Sequence, residues 1–157
     1  MDGVSIPSQR GEHFTAIDIG PIDQVDRFAF KIPSLNVEVD GKLFLKEHLG
    51  LTAAEISVNK MRPGQGMPFL HKHRRNEEIY LFLSGQGEFQ VDGDLFPVTA
   101  GSVVRVATGG ERGWRNVGAD DLLFIVIQAR ADTLEGQTTS DGLPARNKPA
   151  WIESKPV

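Results

Sequence analysis

Two Asp-Gly turns, each set between short runs of strand-forming residues, constrain this chain more than any other feature of its sequence. Residues 35–39 and 43–47 flank Asp40-Gly41, and residues 88–91 and 95–98 flank Asp92-Gly93. Both turn positions accept the positive φ that a type I′ turn demands, so each predicts a hairpin. Alternation and β-branched or aromatic content predict further strands over 54–61, 68–73, 77–84, 102–106, 113–117 and 122–129, and no helix stands out. The 17 Gly and 9 Pro agree with so many turns. About ten short strands at regular spacing indicate an all-β sandwich or barrel.

A chain of 157 residues supports one core. We therefore expect one domain: an N-terminal extension over 1–34 that packs on a barrel over 35–130, and a tail over 131–157 rich in Gly, Thr, Ser, Asp and Pro. Along 78–83, Glu78, Tyr80 and Phe82 share one face and Ile79, Leu81 and Leu83 the other. Both faces of this strand are largely apolar, so the outer one needs cover from the N-terminal segment or from a second copy of the chain; a homodimer is expected.

The formal charge of −4 opposes general attraction to nucleic acid or anionic lipid. Although 71–75 reads HKHRR, alternate residues of a strand turn inward, which breaks up a basic patch. The longest purely apolar run, 122–127, is far shorter than the roughly 20 residues of a membrane span. There is no cysteine, which removes disulfides, thiolate metal sites and a thiol nucleophile. Residues 1–10 carry no basic start followed by an apolar stretch, so a cytoplasmic location is expected.

The chemistry concentrates in 66–85, GMPFLHKHRRNEEIYLFLSG. Residues two apart in a strand share a face, so His71 and His73 point the same way and Lys72 and Arg74 the other. A strand returning from Glu77 brings Glu78 opposite the imidazoles. Two imidazoles and one carboxylate with open positions suit non-haem Fe(II), and accept Mn, Ni, Co or Zn. Glu77, facing away from Glu78, is expected in solvent.

This stretch resembles the first cupin motif, in which Gly, His-x-His, Glu and Gly follow at set intervals; Gly66, His71, His73, Glu78 and Gly85 supply the matching types. A second stretch, 93–116, GDLFPVTAGSVVRVATGGERGWRN, resembles the second cupin motif through Gly93, Gly101 and Asn116. Thr99 stands for its Pro, and Arg112 for its metal-binding His. The resemblance implies a cupin-type antiparallel β-barrel, the double-stranded β-helix or jelly roll.

Arg112 decides between mechanisms. A guanidinium has no lone pair to donate, and at about 4 Å each unit of cation charge would cost roughly 4 kcal/mol at an effective dielectric near 20. At the ligand position it opposes metal. Turned to the pocket mouth, it leaves a coordination site open and grips a substrate carboxylate or phosphate. Paired with Glu78 it satisfies both charges without metal.

Two functions are expected to compete. One is a divalent-metal-dependent enzyme of oxygenase, decarboxylase or isomerase type, with His71, His73 and Glu78 as ligands and Arg112, Tyr80, Trp114 and Gln128 contacting a small anionic substrate. The other is a non-catalytic, metal-free cupin that binds a small ligand.

Overall fold

Alternation along one central strand organises the molecule. In the computed structural model, which describes residues 5–32, 37–136 and 139–152, the strand β7 (Asn76–Ser84) buries Glu78, Tyr80 and Phe82 and turns Ile79, Leu81 and Leu83 to the other side. It lies within a five-stranded antiparallel sheet with β5 (Lys42–Phe44), β6 (Ala54–Met61), β10 (Val103–Val106) and β12 (Leu122–Arg130), in the order β10-β7-β12-β6-β5. Facing it is a three-stranded sheet in the order β11-β8-β9, made of β8 (Gln86–Val91), β9 (Asp94–Thr99) and β11 (Arg112–Asn116). The fold is an all-β jelly roll, and among the described residues the two sheets are not closed into one continuous hydrogen-bonded barrel.

Between the sheets lies an aromatic core. Phe89 is fully buried and stacks on Trp114 and Phe96, with Tyr80 edge-on at 4.8 Å. Phe82, Phe124, Leu122, Val98, Val106 and Val126 complete this cluster. The β8–β9 hairpin turns at Asp92-Gly93, both with positive φ, as the sequence predicts.

Gly85, which ends β7, has φ +87°, and a Cβ there would lie 2.5 Å from the Asp121 carbonyl oxygen. Only glycine lets the chain cross so close to the start of β12.

Three expectations change. Asp40-Gly41 is a corner and not a hairpin turn: β4 (Val37–Asp40) pairs back on β3 (Ala29–Ile32), while β5 pairs with β6 in the large sheet. Gly41, at φ +75°, anchors the corner by donating to the Phe28 carbonyl and accepting from Lys60 N–H. Second, the run expected as strand through residue 47 stops at Phe44, and Lys46–Leu49 form a single helical turn, α1, closed by Gly50 in the left-handed region. Third, 68–73 is not a regular strand. Pro68 has no N–H to donate to a ladder, and among the described residues the backbone pairs with β11 only through isolated bridges, Gly66↔Arg115 just before the segment and His71↔Arg112 within it.

The N-terminal elements, β1 (Ser8–Arg10), β2 (Thr15–Ile17) and a 3-10 segment (Ile22–Arg27), lead into the β3–β4 hairpin. Val25 and Phe28 pack with Leu43 and Val58 in a second cluster on the outer side of β5 and β6. That leaves the β7–β10 end of the outer face open, with Leu83 41% and Val103 64% exposed. After β12 the described residues form turns with Leu134, Leu143 and Trp151 exposed. No helix among the described residues is long and apolar enough to cross a membrane.

Phe89→Ala is expected to destabilise the protein by about 3–5 kcal/mol in urea unfolding, as large cavities in aromatic cores do. Leu95→Ala, exposed on the same hairpin, is expected to change stability by less than about 0.5 kcal/mol.

Candidate metal and ligand pocket

Glu78 enters the inter-sheet space from the large sheet, because β7 keeps its alternation and places Gln128 of β12 and Val106 of β10 directly beside it. Arg112 enters from the facing sheet at the start of β11. His71 is held opposite Arg112 by a reciprocal backbone pair, His71 N–H to Arg112 O at 3.0 Å and Arg112 N–H to His71 O at 2.9 Å. Although the segment is not a regular strand, His71 and His73 converge, with ring centroids 5.5 Å apart and perpendicular planes.

One donor atom each from His71, His73 and Glu78 can be chosen so that all three lie within 4.8 Å of one another. His73 Nε2 is 3.0 Å from Glu78 Oε1, and His71 Nε2 is 3.8 Å from Oε2. Arg112 holds the other oxygen: its Nη2 and Nε donate to Oε2 at 2.8 and 3.1 Å. The Tyr80 hydroxyl also donates to Oε2. Oε1 therefore faces the His73 ring, while Oε2, taken by the guanidinium and the phenol, also lies toward His71.

Arg112 is 0% exposed. Its Nη1 donates to the Gly110 carbonyl at 2.8 Å, so most of its fork is spent on protein acceptors. Of the three placements open from the sequence, the geometry is that of the buried pair with Glu78.

Electrostatics follow from this crowding. Burial would raise the Glu78 pKa, but hydrogen bonds from Tyr80 and Arg112, with the guanidinium charge, outweigh it and hold the carboxyl below its usual value. Burial, then the Arg112 charge, lowers the His71 pKa. Burial and the Glu78 charge push the Tyr80 phenol far above its ordinary value, so it stays a donor.

Trp114 stacks on the core and stands 6.0 Å from the His71 ring. Gln128 Nε2 lies 2.9 and 3.0 Å from the two ring nitrogens of His73. Trp114 Nε1 and His71 Nδ1 are buried without a hydrogen-bond partner among the described residues. An unsatisfied buried nitrogen costs about 1–3 kcal/mol, so both favour a group from outside the chain.

The residues fit a small divalent cation on the Oε1 side: two imidazoles, one carboxylate oxygen free of the guanidinium, and a His71 whose lowered pKa keeps its lone pair available. The fit has a cost, since Arg112 already neutralises Glu78 and repels added positive charge.

Glu77 pairs with Arg105 on the outer side, and Glu111 pairs with Lys72 at 2.8 Å. Asn116, matched to the second motif, is structural: its amide donates to the Met61 and Asp120 carbonyls. His13 and His48 are exposed and outside the pocket. Sequence reasoning missed Lys42, Ser57 and Asn59, which stand on the same core-facing side of the large sheet. The alternation of Ser57 and Asn59 with Ile56 and Val58 was the available signal, and it reads equally as a solvent face.

A family model described as Cupin domain matches residues 58–128. A curated oxalate-binding protein of Thermotoga maritima is 34% identical over 85 residues, 54% of this chain and 69% of that protein. The crystal structure of a cupin protein from Bacteroides fragilis is 40% identical with a TM-score of 0.63, covering 69% of this chain and 92% of that one. That of a predicted oxalate decarboxylase from Thermotoga maritima is 32% identical with a TM-score of 0.53, covering 60% and 83%.

Removing Arg112 strands a buried carboxylate, so Arg112→Met is expected to cost about 3–5 kcal/mol in urea unfolding. The Glu78→Gln/Arg112→Met double variant should cost less than the sum of the two single ones. Because the folded pKa of Glu78 is depressed, its stabilisation is present above the unfolded value near about 4.3 and is lost as pH falls through the folded one. Acid unfolding of Glu78→Gln should show a shallower pH dependence there than wild type.

Proposed function

The chain belongs to the cupin family, and on that premise we propose that it binds a small carboxylate such as oxalate through a divalent transition metal held by His71, His73 and Glu78. What carries this reading is the division of Glu78 beside two imidazoles: Oε2 is held by Arg112 and Tyr80, Oε1 is turned to His73, and donor atoms of His71, His73 and Glu78, one from each, lie within 4.8 Å of one another. The ligand chemistry suits Fe(II), and Mn, Co, Ni or Zn also match two imidazoles and a carboxylate.

Each residue has a role that follows from its contacts. Arg112 and Tyr80 fix the Glu78 carboxylate. Gln128 orients the His73 ring. Trp114 Nε1, a donor without a partner, is suited to an oxygen of the bound anion. When bound, such a cation supplies Lewis acidity or activates oxygen. Neither Tyr80, held protonated, nor Glu78, occupied on Oε2, is a free general base, so the reading is of binding first.

Arg112 makes that binding cooperative. The Glu78–Arg112 pair carries no net charge, so a dication leaves the pocket strongly positive, and a carboxylate restores the balance. Metal and anion are expected to strengthen each other reciprocally.

A second reading is favoured by the complete burial of Arg112. In it the pair with Glu78 replaces the metal, and the anion meets His71 and Trp114 directly.

Leu83 and Val103, exposed on the outer face, support a homodimer. Sedimentation should give twice the chain mass, and a monomer across the micromolar range would contradict it.

Metal content of protein prepared without chelators or nickel affinity, with oxalate present, is expected to approach one ion per chain and to be lost in His71→Ala. Little metal in wild type even with oxalate, together with one ion per chain in Arg112→His, would overturn the metal reading in favour of the second.

A further inference from the structure

Lys42 is the least expected charge in the molecule. Its strand β5 turns Leu43 outward into the cluster with Val25, Phe28 and Val58, which puts Lys42 and Phe44 on the opposite, core-facing side. There Lys42 pairs with Asn59 and Phe44 with Ser57, and those two pair in turn with Phe124 and Val126 of the inter-sheet core. The ammonium is half-buried, and its hydrogen-bond partners are both neutral, Asn59 Oδ1 at 2.9 Å and Ser57 Oγ at 3.4 Å. Among the described residues no carboxylate forms an ion pair with it.

Taking an ammonium out of water is costly: burial lowers the Lys42 pKa to about 8, and the more distant charges of Glu78 and Glu55 offset it only in part. It remains mostly charged at neutral pH. One N–H is left over after the two neutral acceptors.

Lys42 opens into a cleft of about 880 Å³ between the β3–β4 hairpin and β5. This lies within the range of about 300–1,000 Å³ typical of small-molecule sites. Its apolar surface is aromatic: Phe30 of the hairpin meets Phe44 edge-on at 4.8 Å, and the Lys42 ammonium sits 4.8 Å from the Phe44 centroid. Arg27, Lys31 and Lys46 line the cleft too, against the acids Glu38, Glu47 and Glu55, which leaves one cation in excess. The other cations are exposed and hydrated; Lys42, which feels Glu78 and Glu55 but has no carboxylate at ion-pair distance among the described residues, gains a direct counter-ion.

We propose that this cleft is a binding site for a small carboxylate with a flat apolar body; it adjoins the His71–His73–Glu78 pocket, because Glu55 of its lining pairs with Gln128, which pairs with Glu78. The carboxylate meets Lys42 and the body packs on Phe30 and Phe44. Inorganic anions and oxalate would leave the rings uncovered, which is why the ligand class includes an apolar part.

Calorimetric titration with 3-phenylpropionate, and with its neutral amide as the matched control, tests the site. One saturable site is expected for the carboxylate, with the amide at least about tenfold weaker, as loss of a charge-assisted hydrogen bond entails. Lys42→Gln should lose at least about tenfold, and Phe30→Ala, on the opposite wall, a smaller but measurable factor. His71→Ala leaves Lys42, Phe30 and Phe44 in place and is expected to cost less affinity than Lys42→Gln; this arm holds whether or not the metal reading does. Equal binding of amide and carboxylate, full affinity in Lys42→Gln, or a larger loss in His71→Ala than in Lys42→Gln would overturn the proposal. So would the absence of saturable binding at millimolar carboxylate, and a dimer that dissociates in Phe30→Ala would then assign the cleft to a second copy of the chain.

Discussion

The contact between Arg112 and Glu78 is the constraint around which the rest is arranged. It joins the two sheets across the core, from the start of β11 to the middle of β7. A guanidinium with no exposure needs a counter-charge and acceptors for its other N–H groups, and Glu78, Gly110 O and His71 O supply them. The backbone pair between His71 and Arg112 then fixes how the imidazoles approach. Positions of the histidines, the carboxylate and the phenol are thus consequences of accommodating one charge.

The same contact sets what the pocket can hold. An ordinary third imidazole would add a donor and no charge; Arg112 adds a charge and no donor. Cation binding is weakened and made dependent on an anion, while Glu78 is positioned more rigidly by Tyr80 and Arg112 together. Lys42 shows a different situation on the same sheet, a half-buried cation whose hydrogen-bond partners are neutral while Glu78 and Glu55 act on it from farther off. Between them the two cations illustrate how the placing of a counter-charge, more than the fold, decides what small molecule a jelly roll can take.

Much of this was legible in the sequence, and the parts that were not have physical causes. Alternation in β7 gave the core face of Glu78, Tyr80 and Phe82, and Asp92-Gly93 gave its hairpin, because period two and positive φ are local properties. Asp40-Gly41 carries the same local signal, yet its flanking strands join different partners; pairing is set at a distance, through Phe28 and Lys60. His71 and His73 converge for a reason other than the one alternation suggests, since Pro68 interrupts the ladder and two bridges do the positioning. The choice among three placements of Arg112 required coordinates, because a long side chain can reach a partner or a pocket mouth equally well from one backbone position. Lys42 was invisible for the related reason that a lysine in a short strand reads as solvent-exposed until the covering hairpin is seen.

The most direct test of the account is the anomalous diffraction of crystals grown with manganese and oxalate. It predicts a single peak bounded by His71, His73 and Glu78 Oε1, with Arg112 still on Oε2 and oxalate density between that peak and Trp114. Oxalate bound directly to His71 and Trp114 with no peak at the three donors, or Arg112 displaced from Glu78, would contradict it.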